Sequence, residues 1–382
     1  MKILLIIMLL YNSEIYTEKV DSEISIKEFY KINSFIDTTT PDDSYFDSLR
    51  QKYPSSEFIL SMTIMHIYNN SNNVKTDRLW EIINEVKWDT SNTFMLLAIG
   101  LVEEMSLDTL KAKEYYLRSI NADNARINPW PKLELYRLKV DNGCIKDCFV
   151  ELKNIIDMHP DFYSAKLEYG FYLYNEEKFK HSESYLLGIK EALNKKFEYH
   201  MLLGRVFLEL EKLSSAEKSF RSALMIIDDA EAYAALGVLD HFYKKNYESA
   251  KRYYSKAVIL DATNAHAHLY YGFIMFYEEK KYLESKEYIV NALKSNSSSE
   301  ELWAFLVRMD IIYEKINVAK ENLKLLELNV GTCKSYYLYQ IAICSLENIP
   351  SDLYINLFKL KYPDQIDWLN AQLVSLGCTN EH

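Results

Sequence analysis

The sequence predicts an all-α fold, an α-solenoid of about ten stacked antiparallel helix pairs. Three observations carry that expectation. Glycines at Gly204, Gly237 and Gly272 recur at intervals of 33 and 35 residues. Two small-residue positions keep the same period, with Ala216, Ala250 and Ser285 at one and Ala223, Ala257 and Ala292 at the other. Self-similarity at such a period marks a helical repeat array, in which each pair buries its apolar face only by stacking on its neighbours. Finally, hydrophobic residues make up 49% of the chain, with nine glycines and seven prolines in 382 residues. So few breakers in so apolar a chain favour helices over disorder.

Taken in order, the chain opens with Met1-Lys2 and an apolar run from Ile3 to Leu10. That run is too short to cross a bilayer as a helix, which takes about 20 residues. It reads either as the core of a secretory signal peptide over residues 1–13, or as a first solenoid helix packing its apolar side. The first reading places the protein in the secretory pathway or periplasm, the second in the cytoplasm. No later stretch reaches transmembrane length.

Residues 14–90 are expected to hold N-terminal helices and degenerate repeats. Ile26, Phe29, Ile32, Phe35 and Ile36 have helical spacing. Thr38-Thr39-Thr40-Pro41 breaks that helix, and Asp42 or Asp43 caps the next, which ends at Pro54. Ser55 or Ser56 then caps a helix through Tyr68, followed by a loop at 69–73 and a poorer helix from Arg78 to Val86. These units keep the period but lack the glycine, as terminal repeats often do.

The array proper spans 91–329. Gly100 pairs with Ala112 and Ser119. Pro129 and Pro131 stand at a helix start, where a missing N–H costs nothing. Gly143 makes the following turn, Cys148 and Ile155 fill the small sites, and Pro160 ends the unit. Gly170 pairs with Ser182 and Ile189, and beyond Ala292 the residues Ala319 and Leu326 continue both series. Residues 330–382 hold a degenerate last pair, Cys333 to Leu346 and Ser351 to Tyr362, and a closing helix from Asp364 to Leu376. The glycine and the alanines facing it are the places where two antiparallel helices can approach closely.

Between Ala230 and Asn264 the run A-E-A-Y-A-A-L-G … N-Y-E-S-A-K-R-Y-Y-S-K-A-V-I-L-D-A-T-N resembles a tetratricopeptide repeat. The resemblance rests on Tyr233, Leu236-Gly237, Tyr247, Ala250, Tyr254, Ala257 and Asp261, and returns through Tyr271-Gly272, Tyr282, Ser285 and Ala292. Pro160 stands where the family usually ends a unit with proline, and Asp229 and Ala262 replace it elsewhere. Two units carry one extra residue near the inter-helix turn, at His241–Asn246 and Tyr277–Lys281. The resemblance implies a right-handed superhelix whose first helices line a concave surface on which ligands bind.

Taking i, i+4 and i+7 along those first helices gives an inward stripe, from which the candidate partner groove is drawn. It comprises Leu167, Phe171 and Tyr174; Met201, Arg205 and Leu208; Val238 and His241; Leu269, Phe273 and Phe276; and Arg308. A mostly apolar stripe with arginines at intervals suits an amphipathic helix or an extended hydrophobic peptide of a partner protein. Two alternatives close the groove: superhelical curvature buries the stripe, or the segment before Pro41 folds back into it. Family members that clamp a C-terminal carboxylate use Lys, Asn and Arg there. This stripe offers Leu, Phe and Val at most sites, so no such clamp is expected.

The remaining features narrow the function classes. Lys and Arg number 44 against 55 Asp and Glu, a net charge of −11 without a basic block. Nucleic-acid binding needs a clustered basic surface, so that class is disfavoured. No HExxH, GxSxG, P-loop or GxGxxG pattern is present, and no catalytic residue is assigned. His266 and His268 lie two apart and do not share a helix face, so no metal site is expected, nor any cofactor or small-molecule substrate. Cys144 and Cys148 lie close enough to approach, with plain packing of Cys148 at a small site as the alternative. Lys178, Lys212, Lys244 and Lys281 recur near turns among glutamates, either as an edge for an acidic partner or as solvated mixed charge. The expected function is a non-enzymatic protein–protein interaction scaffold. The alternatives are a constitutive subunit of a larger complex and, last, an enzyme with an unrecognised site.

Overall fold

The computed structural model describes residues 24, 26–70, 79–81, 83, 92–123, 127–143 and 146–378. Residues 1–13, most of the stretch from 71 to 91, and Cys144 lie outside them, and with them the expectations made there. Every element named below is helical, and the described backbone forms a single isolated bridge, Thr39 to Lys195. The chain divides into two compact units, residues 1–212 and 213–382.

Unit 1 contains α1 (Ile26–Thr38), α2 (Asp43–Lys52), α3 (Glu57–Asn70), α4 (Thr93–Met105), α5 (Thr109–Ala122), α6 (Trp130–Asp141) and α7 (Lys146–Met158). It continues through α8 (Tyr163–Asn175), α9 (Phe179–Gly188), the short α10 (Lys190–Leu193) and α11 (Phe197–Glu209). Of the two cap candidates at each early helix start, the structure uses Asp42, which accepts from the Tyr45 amide at 3.0 Å, and Ser56, whose hydroxyl accepts from the Ile59 amide at 3.1 Å. Each such cap satisfies a helix-start N–H that has no intrahelical partner.

Unit 2 contains α12 (Leu213–Leu224), α13 (Ala230–Val238), α14 (Tyr247–Leu260), α15 (Ala265–Phe273), α16 (Tyr282–Ser295), α17 (Glu300–Ile312) and α18 (Ile316–Val330). It ends with α19 (Lys334–Leu346), α20 (Asp352–Lys361) and α21 (Ile366–Ser375). The extra residue seen in two units is absorbed as π-helix: α13 runs on through a π segment at Leu239–Tyr243, and α15 through another at Ile274–Glu278. A π turn takes in one more residue without breaking the helix, so the pair that follows keeps its stacking.

The close approach of the helices is more specific than glycine against alanine. A Cβ on Gly100 would stand 2.5 Å from the Tyr116 ring, on Gly170 2.6 Å from Leu186, and on Gly272 2.8 Å from Ile289; on Gly237 it would overlap Tyr254. Each glycine therefore makes room for one large side chain, a turn beyond the small residue of the opposing helix. Where the small residue is serine it also ties the pair, Ser182 and Ser285 each donating to the facing glycine carbonyl at 2.8 Å. The turns themselves pivot on Leu107, Glu177, Glu211, Lys245, Lys280, Glu314 and Asn348, all left-handed with φ between 55° and 62°. In the turn after α6 that backbone region falls to Gly143, at φ 88°.

A candidate partner-binding surface

In unit 1, Phe171 is exposed, Leu167, Tyr174 and Arg205 are half-buried, and Met201 and Leu208 are buried. The Phe171 and Tyr174 rings lie nearly parallel, with centroids 6.4 Å apart. A polar cluster sits beside them on three successive first helices. Tyr68 and Tyr116 donate to the two carboxylate oxygens of Glu104 at 2.8 and 2.6 Å. Arg137 donates to Glu134 at 2.9 Å and to Glu168 at 2.7 Å. Two carboxylates thus hold one guanidinium, and the third, Glu104, is held by two tyrosine hydroxyls. Burial pushes the Glu134 carboxyl up to about 7 against the pull of Arg137, and Glu104 and Glu168 add to the rise.

In unit 2, Val238, Phe273 and Arg308 are half-buried, while His241, Leu269 and Phe276 are buried. His241 stacks on Phe242 at 4.2 Å, and burial, with Lys245 nearby, depresses it to about 4, so it is neutral at physiological pH. Phe276 and Phe273 pack against the Phe305 ring. Arg308 reaches the closing helix α21, donating to Gln372 at 3.2 Å and to Ser375 at 3.1 Å. Asp310, fully buried one turn before the pivot, is closed off by Tyr282 at 2.5 Å, Asn322 at 2.6 Å and Lys286 at 3.2 Å.

Unit 2 does present Phe242 and Tyr277, one position beyond the stripe residues His241 and Phe276, and Ile312 and Leu346 at the matching place on the next two first helices. Phe242, Tyr277, Ile312 and Leu346 follow one another at intervals of 35, 35 and 34 residues and are 40, 40, 42 and 41% exposed. Phe242 lies against Tyr270 of the next first helix, and Tyr277 against Phe305 of the one after. Among the lysines near the turns, Lys178 pairs with Glu176, Lys212 with Glu183, Lys244 with Glu217 and Asp240, and Lys281 with Glu279 and Glu284. Among the described residues no group of three His, Cys, Asp or Glu side chains is placed to hold a metal ion. No described helix is long and apolar enough to cross a membrane.

No family model matches the sequence, and no curated protein does. Solved structures do. A chain of the APC/C hetero-tetramer Cut9–Hcn1 superposes with a TM-score of 0.60 over 95% of this chain and 71% of its own, at 14% identity. The fold is the tetratricopeptide-repeat solenoid. Pseudomonas aeruginosa PilF and a tetratricopeptide repeat protein of Parabacteroides merdae also match, with TM-scores of 0.46 and 0.43, covering 55% and 76% of this chain and 96% and 100% of their own, at 18% and 13% identity. Within this tetratricopeptide-repeat frame, the pairing of Gly237 with Tyr254 and the pivot at Lys245 fall where helix-pair packing requires them. The Phe242 row is the feature that reading i, i+4 and i+7 missed. Its signal in the sequence is a large apolar residue two or three positions before each turn pivot.

Proposed function

We propose that the chain is a non-enzymatic scaffold that binds another protein, and that in unit 2 a hydrophobic peptide or amphipathic helix of the partner lies along Phe242, Tyr277, Ile312 and Leu346. Val238 and Phe273 flank that row. In unit 1 the corresponding surface is offered by Phe171 and Tyr174. The observation that carries this reading is the row itself: four large apolar side chains, equally half-exposed and spaced by the repeat. Apolar surface held open with that regularity is normally interaction surface, and its period would be read by alternate anchors of a bound segment. Affinity capture with the full chain tests it. A Tyr277→Glu, Ile312→Glu variant is expected to lose at least tenfold of a co-purifying partner while still unfolding in one cooperative melt, because both side chains are already about two-fifths exposed. An unchanged partner list in a folded variant rules the row out.

A second reading, a constitutive subunit, is favoured by a different observation. Met225, Ile259 and Leu328 each stand two residues after a small site on a second helix and are 87, 77 and 80% exposed. Side chains so bare suit permanent cover. On this reading the isolated chain self-associates, and Ile259→Lys with Leu328→Lys restores a monomer in sedimentation. The Cut9–Hcn1 chain belongs to such an assembly, but at 14% identity that likeness speaks for the fold alone.

A further inference from the structure

We propose that α1 is a displaceable strap, seated on a helix-recognition surface made by the starts of the first helices of unit 1. That surface takes an amphipathic helix whose buried edge ends in a carboxylate and a hydroxyl. It lies wholly in unit 1 and stands independently of the reading of unit 2.

The register comes first. Phe29 packs on the rings of Phe58 and Phe94, at the starts of α3 and α4. Asn33 accepts from the Trp130 indole at 3.0 Å, at the start of α6. Asp37 accepts from the amides of Tyr163 and Ser164 at 2.6 and 2.7 Å, at the start of α8. Thr40 accepts from the Phe197 amide at 2.8 Å, at the start of α11. On α1 the contacts of Phe29, Asn33 and Asp37 are spaced four residues apart, one face of the helix, and Thr40 follows just beyond its end; on the array they are spaced by the repeat. The segment from Phe29 to Thr40 thus steps along successive first helices of the array.

The chemistry is that of helix ends. Phe162 and Lys196, the cap residues of α8 and α11, supply no side-chain acceptor, and Asp37 of α1 and Thr40, two residues beyond its end, supply it instead. In unit 2 the first helices α13, α15 and α17 are capped by their own Asp229, Asn264 and Ser299. The starts of α8 and α11 are therefore open donor sites at the positive end of a helix dipole, which selects a carboxylate. Lys196 completes the site by donating to the Ile36 carbonyl at 3.0 Å, near the negative end of α1. The opposite face of α1, with Tyr30, Lys31, Ser34 and Phe35, is in solvent. The short link through Pro41, the Lys52–Glu28 ion pair at 2.5 Å and the Phe35–Tyr45 ring contact at 4.8 Å tie it to α2, and such a tether presents the strap at an effective concentration of order millimolar. A competing helix must match the burial of Phe29, Ile32 and Ile36 as well as supply the two acceptors.

Hydrogen exchange on the full chain is the first test. The amides of Tyr163, Ser164 and Phe197 are expected to exchange at least tenfold faster than those of Leu173 and Val206 in the same helices, through opening of the strap alone. Equal rates would make α1 permanent core and overturn the proposal. The second test titrates a fluorescent peptide of residues 24–42 into the full chain. An Asp37→Ala chain, which circular dichroism must show folded, is expected to bind it at least tenfold more tightly than wild type, and an Asp37→Asn peptide to bind at least tenfold more weakly. A folded Asp37→Ala chain that ignores the peptide also overturns the proposal; if that variant does not fold, the exchange rates decide.

Discussion

Glu134 and Gly237 show how much single positions carry in a repeat fold. With its carboxyl raised to about 7 by burial, Glu134 holds a proton that the unfolded chain, with a carboxyl near the ordinary value of about 4.3, has already released. Between those two values the native state binds more protons than the unfolded state, so stability falls as pH rises through that window. Glu134→Gln cannot ionise, and roughly 2 kcal/mol of the loss between pH 5 and pH 7 is expected to vanish from urea-unfolding curves of the variant. A parallel loss in both proteins would show that Glu134 titrates normally. At Gly237 the expectation is steric. Even alanine drives its Cβ into the Tyr254 ring, which is fully buried and cannot swing away, so Gly237→Ala should cost ~1–3 kcal/mol in the melting experiment. Leu107→Gly should do the reverse. That leucine is 88% exposed at φ 62°, so the change removes left-handed strain of about 1 kcal/mol and sacrifices no packing.

At the scale of elements, helix starts, helix ends and pairing were legible because each depends on a local residue type. Asp42, Ser56, Pro129 and Gly143 act where their side chains and backbones allow, and the glycine period places the close approaches. What stayed hidden has a three-dimensional cause. The pivot residues Leu107, Glu177, Lys245 and Asn348 share no chemistry, since the helix pair imposes their left-handed backbone. The inward stripe in unit 2 ends one residue short of the exposed row, because a helix advances about 100° per residue: His241 is buried beside Tyr254 and Phe276 beside Phe305, whereas Phe242 and Tyr277 are exposed. The π segments make a separate statement: the extra residue is carried by the end of the helix, not by the turn. Deleting Tyr243, which is half-exposed, should therefore turn Leu239–Tyr243 into ordinary α-helix and leave the melting temperature within a few degrees. Deleting Leu210 from α11's end, where no residue is spare, should lower it by 10 °C or more. Matched melting curves for the two deletions would mean that the π turn does not hold the insertion.

For the molecule as a whole, stability in a solenoid is normally a sum of repeat terms and nearest-neighbour terms, so damage stays local and the ends fray first. Unit 1 departs from that rule through α1, which touches the starts of five first helices and so couples pairs that never meet each other. Phe29 is the anchor at one end of that contact, buried between Phe58 and Phe94. Phe29→Ala removes a buried ring whose loss typically costs ~3–5 kcal/mol. If α1 spreads that loss, hydrogen-exchange protection should drop by a similar factor in α4, α6, α8 and α11, although α11 lies more than a hundred residues from the change. The helices of unit 2, from α13 onward, should keep their protection. A drop confined to α3 and α4 would reduce α1 to one more neighbour in the stack, and an equal drop in both units would erase the division at Lys212.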